Sequence, residues 1–295
     1  MTKTGKYHKK DRVTLGMVLI YIGIALLALI CLYPFVNVLA YSFSGYNAVL
    51  SGRVTFYPID FTVDAYKEIL KRPQLWLAMR TTVIVTLGGT ALSLTLTTLA
   101  AYALSRKELP GKNFFTAVIL FTMYFGGGMI PTFLVVKNLG LYDTLFALFV
   151  PQAVNVFNFI VMRTFFRDLP ESLEEAARID GASYLGCLIR IFLPLSVPII
   201  ATMALFYAVG YWNTYFDALI YIQDPNKYTL QLRLKGLLTG DELNNSANLE
   251  GIGTQVMSQS LKMATVAIST IPILVVYPWL QKYFVKGVMI GSVKG

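Results

Sequence analysis

The sequence predicts an all-α integral membrane protein with six transmembrane helices, and three observations predict it. Hydrophobic residues fill 56% of 295 positions and charged residues only 14%, with a mean hydropathy of +0.59. A soluble globular domain carries about 25% charge. Six intervals contain no charged side chain: 13–52, 81–105, 113–136, 144–162, 191–216 and 263–281. Each holds an apolar run near the roughly 20 residues that cross a bilayer as a helix. Finally, the lysines and arginines sit at span ends and are uneven. With both termini inside, 15 of the 25 fall in short cytoplasmic segments, which the positive-inside rule favours. The net charge of +9 comes from these scattered residues and is not a nucleic-acid signal.

The elements follow in order. The first span, about 14–43, exceeds the 7–15 residues of a signal-peptide core, so it reads as a permanent helix despite Ala40 near its end. A mixed external loop leads to a second span at 81–104. "SRKELPGKN" (105–113) is a tight cytoplasmic turn around Pro-Gly. A third span covers 114–136, "KNLGLYD" turns outside, and a fourth covers 142–162. A long cytoplasmic connection occupies 168–195. The fifth span is 196–221, an Asn-, Gly- and Ser-rich external loop runs over 222–262, and the sixth span is 263–281 before a cytoplasmic tail. There is no internal repeat and no second soluble segment, so residues 1–295 form one transmembrane domain.

The connection 168–195 is unusual in so apolar a chain. Pro170 suits a first helical turn, and Glu171, Glu174 and Glu175 favour the positive end of the helix dipole. Leu169, Leu173, Ala176 and Ala177 share one face. Gly181 has the position of a C′ stop, and Ser183 that of a second N-cap. Leu185, Leu188, Ile189 and Phe192 form the next apolar stripe. Helices this short need something to pack on, either lipid headgroups or a protein. The four acids, Asp180 included, favour a protein over an anionic leaflet.

Other features exclude chemistry. Cys31 falls inside the first span, as a packing residue, and Cys187 in the cytoplasmic connection, so they should not pair. His8 is the only histidine and lies in a basic terminus. There is no phosphate loop ending in Gly-Lys-Ser/Thr, no Ser/His/Asp arrangement and no cysteine metal pattern. The chain is therefore not expected to be an enzyme.

Polar groups inside spans tend to face the bundle interior or water. Asn213 and Asp217, four apart, share a face of the fifth span; Tyr211 and Tyr215 form an adjacent pair, with Trp212 beside them. Asn155 and Asn158, three apart, are candidates in the fourth span. Aromatic faces with amides and a carboxylate suit a sugar. The competing readings are an interfacial aromatic belt for the fifth span and helix-to-helix bonds for the asparagines. Thr95, Thr97 and Thr98 read as packing residues.

Glu175-Ala176-Ala177, three residues, Gly181, nine residues, Ile191, one residue and Leu193-Pro194 resemble the EAA loop of binding-protein-dependent ABC importer permeases. "LAAYALSRKELPGK" (99–112), "GGMIPTFLVVKNLGLYDTLFALFVPQ" (127–152) and "QKYFVKGVMIGSVKG" (281–295) resemble the maltose-type, carbohydrate-uptake branch. "YFGGGMIPTF" is similar to a subgroup found beside sugar-binding lipoproteins of Gram-positive bacteria. The resemblance covers nearly the whole chain. It implies a type I ABC importer permease fold in a bacterial cytoplasmic membrane and uptake of an oligosaccharide. It also implies a second homologous permease, two ATP-binding subunits and an extracytoplasmic solute-binding protein. Glu171, Glu174, Glu175, Ala176, Ala177, Asp180 and Gly181 would then form the ATPase-coupling element, the acids meeting basic groups on the partner. The tail 287–295 would reach toward the ATPase subunits. ATP and Mg would be bound by the partners, and no cofactor by this chain. A stand-alone, gradient-driven transporter or channel, with Asp217 as its ion site, is the alternative. A membrane-embedded enzyme lacks its catalytic groups.

Overall fold

The computed structural model describes residues 15–239 and 259–292. His8, much of the external loop and the last three residues of the tail lie outside them. Among the described residues the structure is helical, with no strands. The chain divides into two compact units, residues 1–69 with 257–267 and residues 70–256 with 268–295.

The first unit contains α1 (Leu15–Ser42), α2 (Tyr46–Leu50) and most of α3 (Asp64–Leu70). α1 is apolar around its whole circumference, and its side chains from 16 to 36 are exposed on the isolated chain. Such a helix requires apolar surroundings. Cys31 is on this exposed surface, so it is not the internal packing residue the sequence suggests; Cys187 is buried, and both thiols are free. At the end of α1 the chain is pinned by hydroxyls. Ser44 Oγ donates to the Ala40 carbonyl (2.6 Å), and Ser42 Oγ meets Tyr66 Oη (2.8 Å).

The second unit is organised on α4 (Pro73–Ser105), with Pro73 in the first-turn position where its missing N–H costs nothing. Next come α5 (Lys112–Tyr124), α6 (Met129–Asn138), a 3₁₀ turn at Leu145–Leu148 and α7 (Val156–Asp168). Then follow α8 (Glu171–Ile179), α9 (Tyr184–Cys187), a π-turn at Leu188–Phe192, α10 (Leu193–Leu195) and α11 (Val197–Trp212). α12 (Phe216–Tyr221) and α13 (Leu230–Thr239) follow, and α14 (Gln259–Ser292) carries Pro272 and Pro278 inside.

α4 packs on α7 and α11. Gly89, Ser93, Thr97 and Ala101 recur every four residues, are all buried, and make a small-residue stripe that admits a close neighbour. A Cβ on Gly89 would stand 2.8 Å from Tyr211 Cε2 and 3.0 Å from Phe149 Cβ. Ser93 Oγ and Tyr211 Oη are hydrogen-bonded at 2.7 Å, and Thr97 Oγ1 and Tyr207 Oη at 2.6 Å. Thr97 is therefore a bonding residue between helices as well as a packing one. Thr98 Oγ1 meets only Met162 Sδ, and Thr95 bonds its own helix.

Among the described residues two helices, Gly16–Ser42 and Pro73–Ser105, are long and apolar enough to cross a membrane. Two further pairs qualify only together. α5 and α6 are bent by 117°, and the segment Tyr184–Leu195 is bent by 85° against α11. Three of the six segments read as spanning helices are not single helices in the structure. Gly126–Gly127–Gly128 breaks 114–136, with Gly128 at φ +84°, a conformation glycine adopts without a Cβ penalty. The segment 142–162 holds only the 3₁₀ turn and the first half of α7. The segment 196–221 is interrupted at residues 213–215.

Candidate functional site

The helix–turn–helix over 168–195 forms as its sequence dictates. α8 ends at Ile179, and Gly181 follows at φ +84°. Its N–H donates to the Arg178 carbonyl (3.0 Å), and the Ala182 N–H donates to the Ala177 carbonyl (2.9 Å). These two bonds are the Schellman closure of a helix C-terminus. Ser183 Oγ then accepts the Gly186 N–H at 3.1 Å, capping α9. The following stripe is divided. Leu188 and Phe192 are buried, whereas Leu185 and Ile189 are exposed, because the π-turn shifts the register of the helix face.

The two faces of α8 differ in what they touch. Glu171, Glu174 and Arg178, at i, i+3 and i+7, all meet the segment that follows α4. Glu174 is buried and pairs with Arg106, which also donates to the Phe166 carbonyl (3.1 Å) and lies over the Phe192 ring at 4.5 Å. Lys107 Nζ reaches Glu171 Oε1 at 2.7 Å. Arg178 Nη1 donates to both oxygens of Glu108 (2.9 and 2.7 Å), and Tyr184 Oη donates to the same carboxylate at 2.8 Å. Tyr102 Oη donates to the Tyr184 carbonyl at 3.1 Å. The Tyr184 hydroxyl, and then the Arg178 guanidinium, hold the Glu108 carboxyl below the usual carboxylate range; the same contacts raise Arg178 and Tyr184.

The adjoining face of α8 is open. Ser172, Glu175, Ala176 and Ile179, at i, i+3, i+4 and i+7, are exposed, and Ile179 is 86% exposed. Ala177 is half-buried, Leu173 is exposed, and Asp180 is exposed at the C-cap. Of the acids expected to meet basic groups on a partner, Glu174 is buried against Arg106 and Glu171 pairs with Lys107 within this chain. Tyr102, Arg106, Lys107 and Glu108 were not singled out from the sequence. Their signal is visible in it: the signs of Arg106, Lys107 and Glu108 complement Glu174, Glu171 and Arg178, which share one helical face.

The solute-path candidates are brought only partly together. Asn155 caps α7, its Oδ1 accepting the Asn158 N–H at 3.1 Å. The three-residue spacing is therefore that of a cap, and Asn158 is buried while Asn155 is exposed. The Asn155 N–H donates to Tyr207 Oη at 3.1 Å, so α7 begins against α11. Tyr211 and Trp212 are buried at the end of α11; Tyr211 stacks on Tyr207 rather than pairing with Tyr215. Asn213 and Asp217 do not share a continuous helix face. Asn213 is the exposed C-cap of α11, its Nδ2 donating to the Val209 carbonyl (2.9 Å), whereas Asp217 lies in the first turn of α12. Tyr215 precedes α12 and is half-buried. Gln152 Nε2 donates to Asp217 Oδ2 at 2.6 Å. Of the solute-path candidates, Asp217 is thus tied to Gln152, whereas Asn213 is tied to Val209 and to Gln231, whose Nε2 donates to Asn213 Oδ1 at 3.4 Å. Among the described residues no three His, Cys, Asp or Glu groups are placed to hold a metal ion.

Residues 93–290 match the family described as the binding-protein-dependent transport system inner membrane component. The polygalacturonan/rhamnogalacturonan transport system permease protein YtcP of Bacillus subtilis (strain 168) is 45% identical over 278 residues, 94% of this chain and 97% of that protein. The trehalose/maltose transport system permease protein MalG of Thermococcus litoralis is 30% identical over 292 residues, 95% of this chain and 98% of its own. A chain from the crystal structure of a bacterial ABC transporter involved in the import of the acidic polysaccharide alginate superposes with a TM-score of 0.84 at 34% identity. It covers 95% of this chain and 100% of that one.

Proposed function

The chain belongs to the inner membrane components of binding-protein-dependent transport systems, and from that premise we propose that it is one of two permease subunits of an ATP-driven importer for oligosaccharide. The complex would comprise a second homologous permease, two ATP-binding subunits carrying ATP and Mg, and an extracytoplasmic solute-binding protein. The chain itself would bind no cofactor and catalyse no bond-making step. It would lie in the cytoplasmic membrane of a bacterium and cross it six times, broken segments included, with both termini inside. The helix hairpin and the segment 105–108 would then be cytoplasmic, and the loop 222–262 external.

The observation that carries this reading is the asymmetry of α8. One face is tied down by three charged contacts, and the adjoining face presents Glu175, Ala176 and Ile179 outward, with no ion pair or side-chain hydrogen bond among the described residues. Leu173, Ala176 and Ile179, each three residues on from the last, expose an apolar row outside the apolar spans, and such a row suits a partner better than water. An ATPase subunit docking on this face would displace α8 as its nucleotide sites close. The displaced helix would shift the permease between inward- and outward-open forms. Gln152, Asn213 and Asp217, with Tyr211, Trp212 and Tyr215, would then contact sugar, whose rings offer hydroxyls to the amides and C–H faces to the rings. The names of the relatives support a carbohydrate as cargo.

The test is co-purification from native membranes in mild detergent. The chain is expected to bring down a second permease and an ATP-hydrolysing subunit. Glu175→Lys with Ile179→Asp is expected to lose the ATPase subunit and keep the permease partner. A chain that purifies alone and is fully active alone would contradict the proposal.

A further inference from the structure

Arg106–Glu174 differs from the other charged contacts of the hairpin in being closed to solvent. Its side chains are 13% and 10% exposed, against 72% and 53% for Lys107–Glu171. Exposed pairs are pliable and contribute little, because water and salt screen them. Arg106 also joins more elements than its neighbours do. From the end of α4 its guanidinium reaches Glu174 on α8, the backbone carbonyl of Phe166 on α7, and the rings of Phe192 and Tyr102 at 4.5 and 5.1 Å. Ser105 Oγ accepts from its Nε and Nη2 at 3.0 and 2.9 Å. A planar fork bonded along its edges and packed against a pair of touching rings transmits displacement rather than absorbing it.

Further along, α4 is bonded to α11 through Thr97–Tyr207 and Ser93–Tyr211. α11 ends at Trp212 and is capped by Asn213, one of the solute-path candidates. One helix is thus buried-bonded to the hairpin at its C-terminal end and, along its middle, to the helix that Asn213 caps. We propose that Arg106 is the positioning residue that makes α4 the lever of the transport cycle. It locks α8 to α4 through Glu174, so a shift of α8 moves α4, and the two hydroxyl bonds carry that shift to α11. This rests on the reading of α8 as the ATPase-docking helix. It assigns Glu174 inward, to the lever, and leaves docking to the adjoining exposed face.

Folding and transmission can be separated, because removing one partner of a buried pair strands a charge, whereas removing both leaves none. In the purified complex, with a Cys31→Ser/Cys187→Ala background, Asn213→Cys reports the state of the α11 end by its rate of reaction with a maleimide. Trapping with Mg·ATP and vanadate is expected to change that rate by roughly fivefold or more, the scale of an ordinary coupling between sites. Glu174→Gln alone is expected to lower membrane abundance. Arg106→Gln/Glu174→Gln together are expected to restore abundance and ATPase retention, yet to cut the trapped-state change to less than about twofold. Lys107→Ala is expected to keep the full change. A double variant with the wild-type response overturns the lever. Should the double variant fail to assemble, Arg106→Lys reads the same quantity, since it keeps the charge and loses the fork to Phe166; a full response there is equally contrary. Absence of any nucleotide response without these substitutions would instead overturn the importer reading itself.

Discussion

Gly181 and Gly89 show two ways in which a missing side chain matters. Gly181 turns the chain at φ +84°, and a Cβ there would meet nothing within 4 Å. The penalty for a side chain is therefore in the backbone alone, about 1–2 kcal/mol. Gly181→Asp also adds a negative charge beside Asp180 at the negative end of the α8 dipole. We expect normal insertion with impaired uptake and weaker ATPase retention, measured together with membrane abundance; uptake should fall much further than abundance. At Gly89 the backbone is helical and the limit is space, since Tyr211 and Phe149 close over it. Gly89→Ala is expected to cost about 1–3 kcal/mol by overpacking, read as a lowered Tm of the detergent-solubilised complex. The first glycine was legible in the sequence, because its signal is local: a helix with acids at its start, then glycine, then a capping serine. The second was not, because it depends on which helix arrives opposite it. Asn155 illustrates the same limit from the other side, its spacing to Asn158 fitting a shared face and a cap equally well until the backbone is known.

At the level of elements, the helix hairpin was readable and the spans were only partly so. Capping and stop signals specify α8 and α9 within a few residues of chain. Hydropathy, in contrast, sums composition over a window and is blind to direction, so the bend at Gly126–Gly128 and the interruption at residues 213–215 left no mark in it. The inward face of α8 escaped notice because its acids were read for the helix dipole and a partner, not against the three charges of the segment after α4. The Glu108 contact gives this element a pH signature. Its folded-state pKa is depressed, so the contribution to stability is present above the unfolded value, about 4.3, and is lost as pH falls through the lower folded value. ATPase retention is therefore expected to stay flat from neutrality down to about pH 5 and to decline only in stronger acid. Glu108→Gln removes that acid limb, and retention assayed across pH in wild type and variant checks it.

For the molecule as a whole, two units of different character share one chain. One holds a helix apolar on every side, and the other is bonded internally through α4, α7 and α11. The lipid setting was legible from the charge-free intervals alone, whereas the proposed topology rests on the basic residues at their ends. Cysteines introduced at Lys107 and the native Cys187 are expected to be shielded from an impermeant reagent in intact cells, and Asn245→Cys to react, although Asn245 lies beyond the described residues. Labelling of position 107 from outside would overturn the six-crossing arrangement. The carbohydrate reading is tested most directly by reconstituting the purified complex into proteoliposomes with its binding protein. Uptake would be followed for a labelled neutral oligosaccharide and a labelled acidic one. The account predicts uptake of at least one of them that requires ATP and the ATPase subunits and is abolished by Glu175→Lys with Ile179→Asp. Uptake by this chain alone, driven by an ion gradient without ATP, would contradict it.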